Sequence, residues 1–118
     1  MVSQMSLTHA FTICQTVGFR SDIPEDIQAR IMAHALKHFK APTDFIIYET
    51  EAGPEHFEDE GRSLSTFIPG TTKKVYAKLD DYGPPEKWDE LYDKEVADGL
   101  KKGIRGRFLI TFMLAEDY

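Results

Sequence analysis

The clearest hydrophobic pattern in the chain lies at residues 22–39, where apolar side chains recur every three or four positions. Asp22 and Glu25 have the spacing of a capping box, which predicts that a helix starts there. Pro42 disfavours helical geometry at the residue before it and so predicts the helix end. We therefore predict an α-helix over residues 22–39, with one apolar face made of Ile27, Ile31, Met32, Ala35, Leu36 and Phe39.

Short apolar or alternating runs rich in β-branched and aromatic residues predict strands at residues 9–19, 44–50, 73–82 and 107–114. The run at 44–50 is apolar throughout, which is typical of a central strand covered on both faces. The last run is also apolar on both faces, so we expect it to occupy an inner position. Residues 51–72 are rich in turn-forming residues and contain one further possible strand, at residues 62–68.

A second helix is predicted over residues 86–99, where Trp88, Leu91, Tyr92 and Val96 have helical spacing and Gly99 suits a C-terminal cap. The element order is then β-α-β-(β)-β-α-β, without repeats or linkers. We predict a single α+β domain over residues 1–118, with an antiparallel sheet of four to five strands and two helices on one face. The ferredoxin-like plait has this arrangement. Because helices on one face leave the other bare, a homodimer is also expected.

The formal net charge is −6, from 14 basic and 20 acidic residues. Nucleic-acid binding is disfavoured, because phosphate neutralisation by basic residues supplies most of its affinity. Cys14 is the one cysteine, so no internal disulfide can form, and we expect a buried, inert thiol in a reducing cytoplasm. The first residues lack the basic start and long apolar run of a signal peptide or membrane anchor.

Histidines and acidic residues form two patterns that could carry chemistry. His34 and His38 lie four residues apart on the first predicted helix, which places both imidazoles on one side and could begin a zinc site. A third ligand is missing from the pattern, so we interpret them as surface histidines and predict no metal and no cofactor. The acidic run at residues 55–60 is interpreted as a solvated loop, or as a surface that docks a basic partner through Glu55, Glu58, Asp59 and Glu60.

Amphipathic aromatic residues are the other candidates for function. Such rings often line clefts between a sheet and a helix, and we predict a ligand-binding role for Tyr48, Tyr76, Tyr82 and Trp88. The alternative is that these rings belong to the core. No adjacent nucleophile and base suggest catalysis, so we do not predict an enzyme.

Gly18 to Gln28, residues 44–50 and Thr111 to Tyr118 resemble a small family of unknown function from Gram-positive bacteria and their phages. The resemblance covers about half of the chain, at both ends. The family's central His-Ser-Gln-Glu-like run is missing here, and residues 83–106 would be an insertion. This resemblance implies a fold more than an activity.

Ile68 to Leu79 and Asp81 to Tyr92 resemble the second half of gyrase-inhibitor-like effector-binding domains. That resemblance implies binding of small molecules or proteins in an aromatic-lined cleft, with Tyr48, Tyr76 and Trp88 at or near it. The family usually carries a Glu on its last strand, and residues 107–114 have none. We therefore predict a non-enzymatic cytosolic binding protein whose ligand is a small molecule or a protein. The alternative is an acidic phage-type protein that binds and inhibits a host protein.

Overall fold

The computed structural model describes residues 11–118, in which six strands form one mixed sheet of order β1-β6-β5-β2-β4-β3. The strands are β1 Phe11–Gln15, β2 Phe45–Glu49, β3 His56–Glu58, β4 Ser63–Phe67, β5 Val75–Asp81 and β6 Phe108–Leu114. The α-helices are α1 Val17–Asp22, α2 Glu25–His38, α3 Trp88–Leu91 and α4 Lys94–Gly103. Short 3₁₀ turns lie at Asp59–Gly61, Pro85–Lys87 and Ala115–Asp117.

The prediction of an antiparallel sheet with four to five strands and two helices is wrong. The prediction of a ferredoxin-like plait is therefore wrong as well. β2 and β4 run parallel, β2 and β5 antiparallel, and β3 and β4 antiparallel. The additional strand β3 comes from the acidic run that was interpreted as a loop. Its three side chains are all exposed. An exposed strand needs no alternation of apolar and polar residues, so the sequence carries no pattern that predicts it.

The N-terminal prediction of one strand over residues 9–19 is also wrong where it reaches past Gln15, and residues 9 and 10 lie outside the described part. Thr16 ends the strand because its side-chain oxygen accepts a hydrogen bond from the backbone N–H of Phe19 and caps α1. The predicted capping box does not form. Pro24 occupies the N-cap position of α2 and makes no side-chain cap, and Asp22 ends α1.

Helix α2 follows most of the predicted apolar stripe, but the prediction is wrong for Leu36, which is exposed. Ile27, Ile31 and Ala35 are buried, and the helix ends at His38, one residue before the predicted boundary. Ile46 and Tyr48 of β2 are fully buried as well. The Tyr48 hydroxyl reaches the backbone oxygen of Ile31 at 3.3 Å, so this face of β2 packs against α2.

The second predicted helix is interrupted. The first short helix ends at Leu91, with Tyr92 as its C-cap. Asp93 caps α4, because its carboxylate accepts a hydrogen bond from the N–H of Val96 at 3.0 Å. Gly99 lies inside α4 and is not its cap, which corrects that prediction. The final strand is confirmed as an inner strand, since β6 lies between β1 and β5. The Cys14 thiol is exposed, which contradicts its predicted burial.

The described residues divide into two compact units, one made of residues 11–13 and 80–110 and the other of residues 14–79 and 111–118. The interpretation of residues 1–118 as one domain stays a prediction. None of the helices within residues 11–118 combines the length and the apolar character needed to span a bilayer.

Candidate functional site

His34, His38 and Glu55 form a cluster of electron-pair donors within the second unit. Each can offer one ring nitrogen or carboxylate oxygen, and the three atoms lie within 4.8 Å of one another. The histidines come from the last turns of α2, and Glu55 directly precedes β3. The cluster therefore joins the helix to the outer end of the sheet.

The helical spacing of the two histidines explains their arrangement. Residues four apart on a helix are neighbours on its surface, and the rings of His34 and His38 stack with centroids 4.0 Å apart and planes 16° apart. The Nδ1–H of His38 donates to the backbone oxygen of His34 at 2.9 Å. The Nε2 atom of His38 then carries a lone pair, and within residues 11–118 the structure gives it no hydrogen-bond partner.

Both ring nitrogens of His34 have partners. Nδ1 lies 2.9 Å from the hydroxyl of Tyr48, and Nε2 lies 3.3 Å from Oε2 of Glu55. A carboxylate oxygen only accepts, so one tautomer makes both contacts: Tyr48 donates to Nδ1 while Nε2–H donates to Glu55. In the other tautomer, Nδ1–H donates to Tyr48 and the Tyr48 hydroxyl turns to the oxygen of Ile31, but Nε2 then faces Oε2 of Glu55 with no proton between them. The Tyr48 hydroxyl therefore has two acceptors within reach.

Glu55 is held in place by Thr66 of β4, whose hydroxyl donates to Oε2 at 2.8 Å. This hydrogen bond, followed by the one from His34, lowers the pKa of Glu55 below its ordinary value and keeps the carboxylate ionised. Burial is the main cause of a lowered pKa at His34, and it outweighs the opposing influence of Glu55. The pair is therefore best described as a neutral imidazole beside an ionised carboxylate.

Tyr48 is fully buried beneath the cluster. Burial, with a smaller contribution from Glu55, raises the pKa of Tyr48 far above its ordinary value of 10, so the phenol stays protonated. The ring also contacts His34 edge-on, with centroids 5.4 Å apart. Of the four aromatic residues predicted from the sequence, Tyr48 is thus the one that touches this cluster.

Tyr48 and Tyr76 lie on opposite faces of the sheet. Tyr48 is opposite Val75 in the β2–β5 register, whereas Tyr76 is opposite Ile47, and successive strand residues point to opposite faces. The ring of Tyr76 packs with those of Phe45 and Tyr118, at centroid distances of 4.9 and 5.6 Å. One cleft wall cannot contain both Tyr48 and Tyr76.

Tyr82 and Trp88 belong to the other unit. Trp88 is 2% exposed, and its indole N–H lies 3.1 Å from the backbone oxygens of both Tyr82 and Gly83. The hydroxyl of Tyr92 donates to the same oxygen of Tyr82 at 3.0 Å. Trp88 therefore occupies a core position and holds the segment before α3.

The four predicted acidic residues separate into two groups. Glu55 faces α2 and joins the histidine cluster, whereas Glu58, Asp59 and Glu60 are exposed at and after the edge strand β3. The histidines were visible in the sequence as a possible start of a metal site. The missing partner, Glu55, is 21 residues from His34, and only the pairing of β3 with β4 shows that the two residues meet.

Comparison of the chain with models of known protein families, with curated proteins and with solved structures finds no match. The two resemblances described from the sequence stay predictions.

Proposed function

We propose that the protein is a non-enzymatic cytoplasmic binding protein that takes a small electron-pair-accepting ligand, a cation or a hydrogen-bond donor, at His34, His38 and Glu55. The observation that carries the proposal is the convergence of three possible ligand atoms, one from each residue, within 4.8 Å. The exposed fractions of the His34 and Glu55 side chains are 18% and 44%, so a small ligand can reach them from solvent.

The groups around the cluster support binding better than catalysis. The Thr66 hydroxyl is used to hold Glu55, and the raised pKa of Tyr48 prevents that residue from acting as a base near neutral pH. In this proposal Tyr48 contributes its hydroxyl group to the site rather than an apolar wall. The aromatic-lined cleft predicted from the sequence is thereby replaced by a polar site with one aromatic residue beneath it.

A thermal-shift screen tests the proposal with a panel of alkylammonium, guanidinium and divalent metal ions. A ligand at 100 times its dissociation constant stabilises the native state by about 2.7 kcal/mol. We expect at least one panel member to raise the melting temperature of the wild type and of His56→Ala, but not of His34→Ala. His56 is a matched control because it is an exposed histidine in β3. If no panel member separates His34→Ala from the control, the proposal is refuted.

A second candidate function, inhibition of a basic host protein, is favoured by the exposure of Glu58, Asp59 and Glu60 at a sheet edge. Attraction between these carboxylates and a basic surface would be screened by salt. Neutralising all three to amides should weaken a host complex and flatten its salt dependence. The matched control neutralises three exposed carboxylates on or beside α3 and α4, namely Glu86, Glu90 and Glu95. Equal losses in both triple variants would eliminate the acidic edge as the binding surface.

A further inference from the structure

The cluster has the composition of a zinc-type site. Imidazole nitrogens and a carboxylate oxygen are ordinary ligands of Zn²⁺, and three protein ligands with an open fourth position are typical of sites that keep a bound water. Two ligands of a tetrahedral zinc ion lie about 3.3 Å apart, given metal–ligand bonds of about 2.0–2.1 Å. His34 Nε2 and Glu55 Oε2 are 3.3 Å apart, which already matches this separation.

Each prospective ligand residue also has a hydrogen-bond partner that orients its side chain. His34 Nδ1 meets the Tyr48 hydroxyl at 2.9 Å, His38 Nδ1 meets the His34 backbone oxygen at 2.9 Å, and Glu55 accepts from Thr66 at 2.8 Å. Metal-bound histidines usually donate their second ring N–H to an oxygen in this way, and ligating carboxylates are themselves hydrogen-bonded. In both rings the nitrogen left for a metal is therefore Nε2. Because the stacked rings have planes only 16° apart and an imidazole binds a metal in the plane of its ring, one of the two side chains must rotate out of the stack for both Nε2 atoms to bind one ion.

Tyr48 allows His34 to change tautomer without leaving a buried polar group unpaired. When a metal takes Nε2, the proton must reside on Nδ1, which then donates to the Tyr48 oxygen. The Tyr48 hydroxyl can in turn donate to the oxygen of Ile31, 3.3 Å away. Without this second acceptor, two donors would face each other, and an unmade buried hydrogen bond is costly.

We propose that His34, His38 and Glu55 bind a divalent transition-metal ion of the zinc type, with an open fourth position and with Tyr48 and Thr66 as positioning residues. The proposal rests on the proposed function, because it names the ligand of that same site. Mg²⁺ and Ca²⁺ prefer sets of oxygen ligands, whereas imidazole suits Zn²⁺ and its first-row neighbours. The site should therefore discriminate against the two hard cations.

Isothermal titration of the full chain without a polyhistidine tag tests the proposal, using Zn²⁺, Mg²⁺ and Ca²⁺ separately. We expect Zn²⁺ to bind with a 1:1 stoichiometry and the other two ions not to compete with it. Visible absorption of the Co²⁺-loaded protein provides a second readout, because tetrahedral and octahedral Co²⁺ differ in intensity. Octahedral Co²⁺, or the absence of 1:1 Zn²⁺ binding, would overturn the proposal.

Variants identify the ligands. His34→Ala, His38→Ala and Glu55→Gln should each abolish 1:1 binding, while His56→Ala should bind like the wild type. Tyr48→Phe and Thr66→Val should bind about 10–100-fold more weakly, as expected for loss of a partner behind a ligand. Unchanged Zn²⁺ affinity in Glu55→Gln, or equal loss in His56→Ala, would refute the assignment. Circular dichroism of each metal-free variant separates loss of a ligand from loss of the fold.

The two proposals can fail separately. If Zn²⁺ does not bind but an ammonium or guanidinium ion stabilises the wild type and not His34→Ala, the site binds a ligand and the metal assignment is wrong. If neither kind of cation distinguishes His34→Ala from His56→Ala, both proposals are wrong.

Discussion

Replacement of Trp88 by alanine should destabilise the protein by about 3–5 kcal/mol, the usual cost of removing a large aromatic side chain from a core. Trp88 is 2% exposed and is among the largest buried side chains of residues 11–118. Its indole N–H also serves the backbone oxygens of Tyr82 and Gly83, each at 3.1 Å. Trp88→Phe keeps an aromatic ring but removes this donor, so a smaller loss of about 1–3 kcal/mol is expected.

Urea denaturation followed by far-ultraviolet circular dichroism measures both variants. Tryptophan fluorescence is unsuitable, since Trp88 is the one tryptophan of the chain. With a slope of about 1–3 kcal/mol per molar urea, a loss of 3 kcal/mol shifts the midpoint by at least about 1 M. Leu91→Ala is the matched control, because Leu91 lies on the same helix and its side chain is largely exposed.

The alanine variant also distinguishes the two roles that the sequence allowed for this residue. A wall of a ligand cleft could be removed with the fold intact, whereas a core residue could not. If Trp88→Ala unfolds within about 1 kcal/mol of the wild type, the buried position and the reasoning from it are wrong.

Three further predictions concern stability. Gly70→Ala should lower the free energy of unfolding by about 1–3 kcal/mol, because φ is +94° and a Cβ would lie 2.6 Å from Cδ1 of Ile27; a midpoint equal to the wild type's would contradict this. Asp117→Ala should lower the free energy of unfolding, measured by urea denaturation, by about 1–2 kcal/mol. The Asp117 carboxylate accepts hydrogen bonds from the Thr16 hydroxyl at 2.8 Å and from the backbone N–H of Leu114 at 3.2 Å, and both are lost in the variant. Hydrogen bonds from Arg107 lower the pKa of Asp81 below its ordinary value of 3.8, so this carboxylate stabilises the fold above that pH and the contribution is lost as the pH falls through the lowered pKa. Asp81→Asn should therefore be less stable than the wild type at pH 7 and converge with it in more acidic solution, and a constant difference across that range would refute the linkage.

Elements with a buried stripe could be predicted from the sequence, and elements without one could not. Ile27, Ile31 and Ala35 define α2 because their 3.6-residue period is enforced by burial against the sheet. By contrast, β3 has three exposed side chains and pairs with β4 at the edge of the sheet. Because β3 takes the edge of the sheet, β4 lies between β2 and β3 and pairs parallel with β2, and no local pattern encodes this order.

The candidate site could be predicted only in part, for the same reason. The spacing of His34 and His38 follows from helix geometry alone, so their proximity could be anticipated. The approach of Glu55 depends on register, because it is the β3–β4 pairing that brings it to Thr66 and the helix. A sequence pattern shows which residues are close along the chain. Glu55 is 21 residues from His34 and approaches the two histidines only in the folded sheet.

A substitution in the turn between β3 and β4 could raise the stability of the protein. Asp59 and Glu60 have φ values of 52° and 57°, in the left-handed region that costs most non-glycine residues about 1–2 kcal/mol. Asn tolerates this conformation better than Glu, so Glu60→Asn should recover part of that cost. Such a variant would act as a second-site suppressor. Destabilising substitutions in the core or at the metal ligands could be combined with it, so that the combined variants stay folded for study.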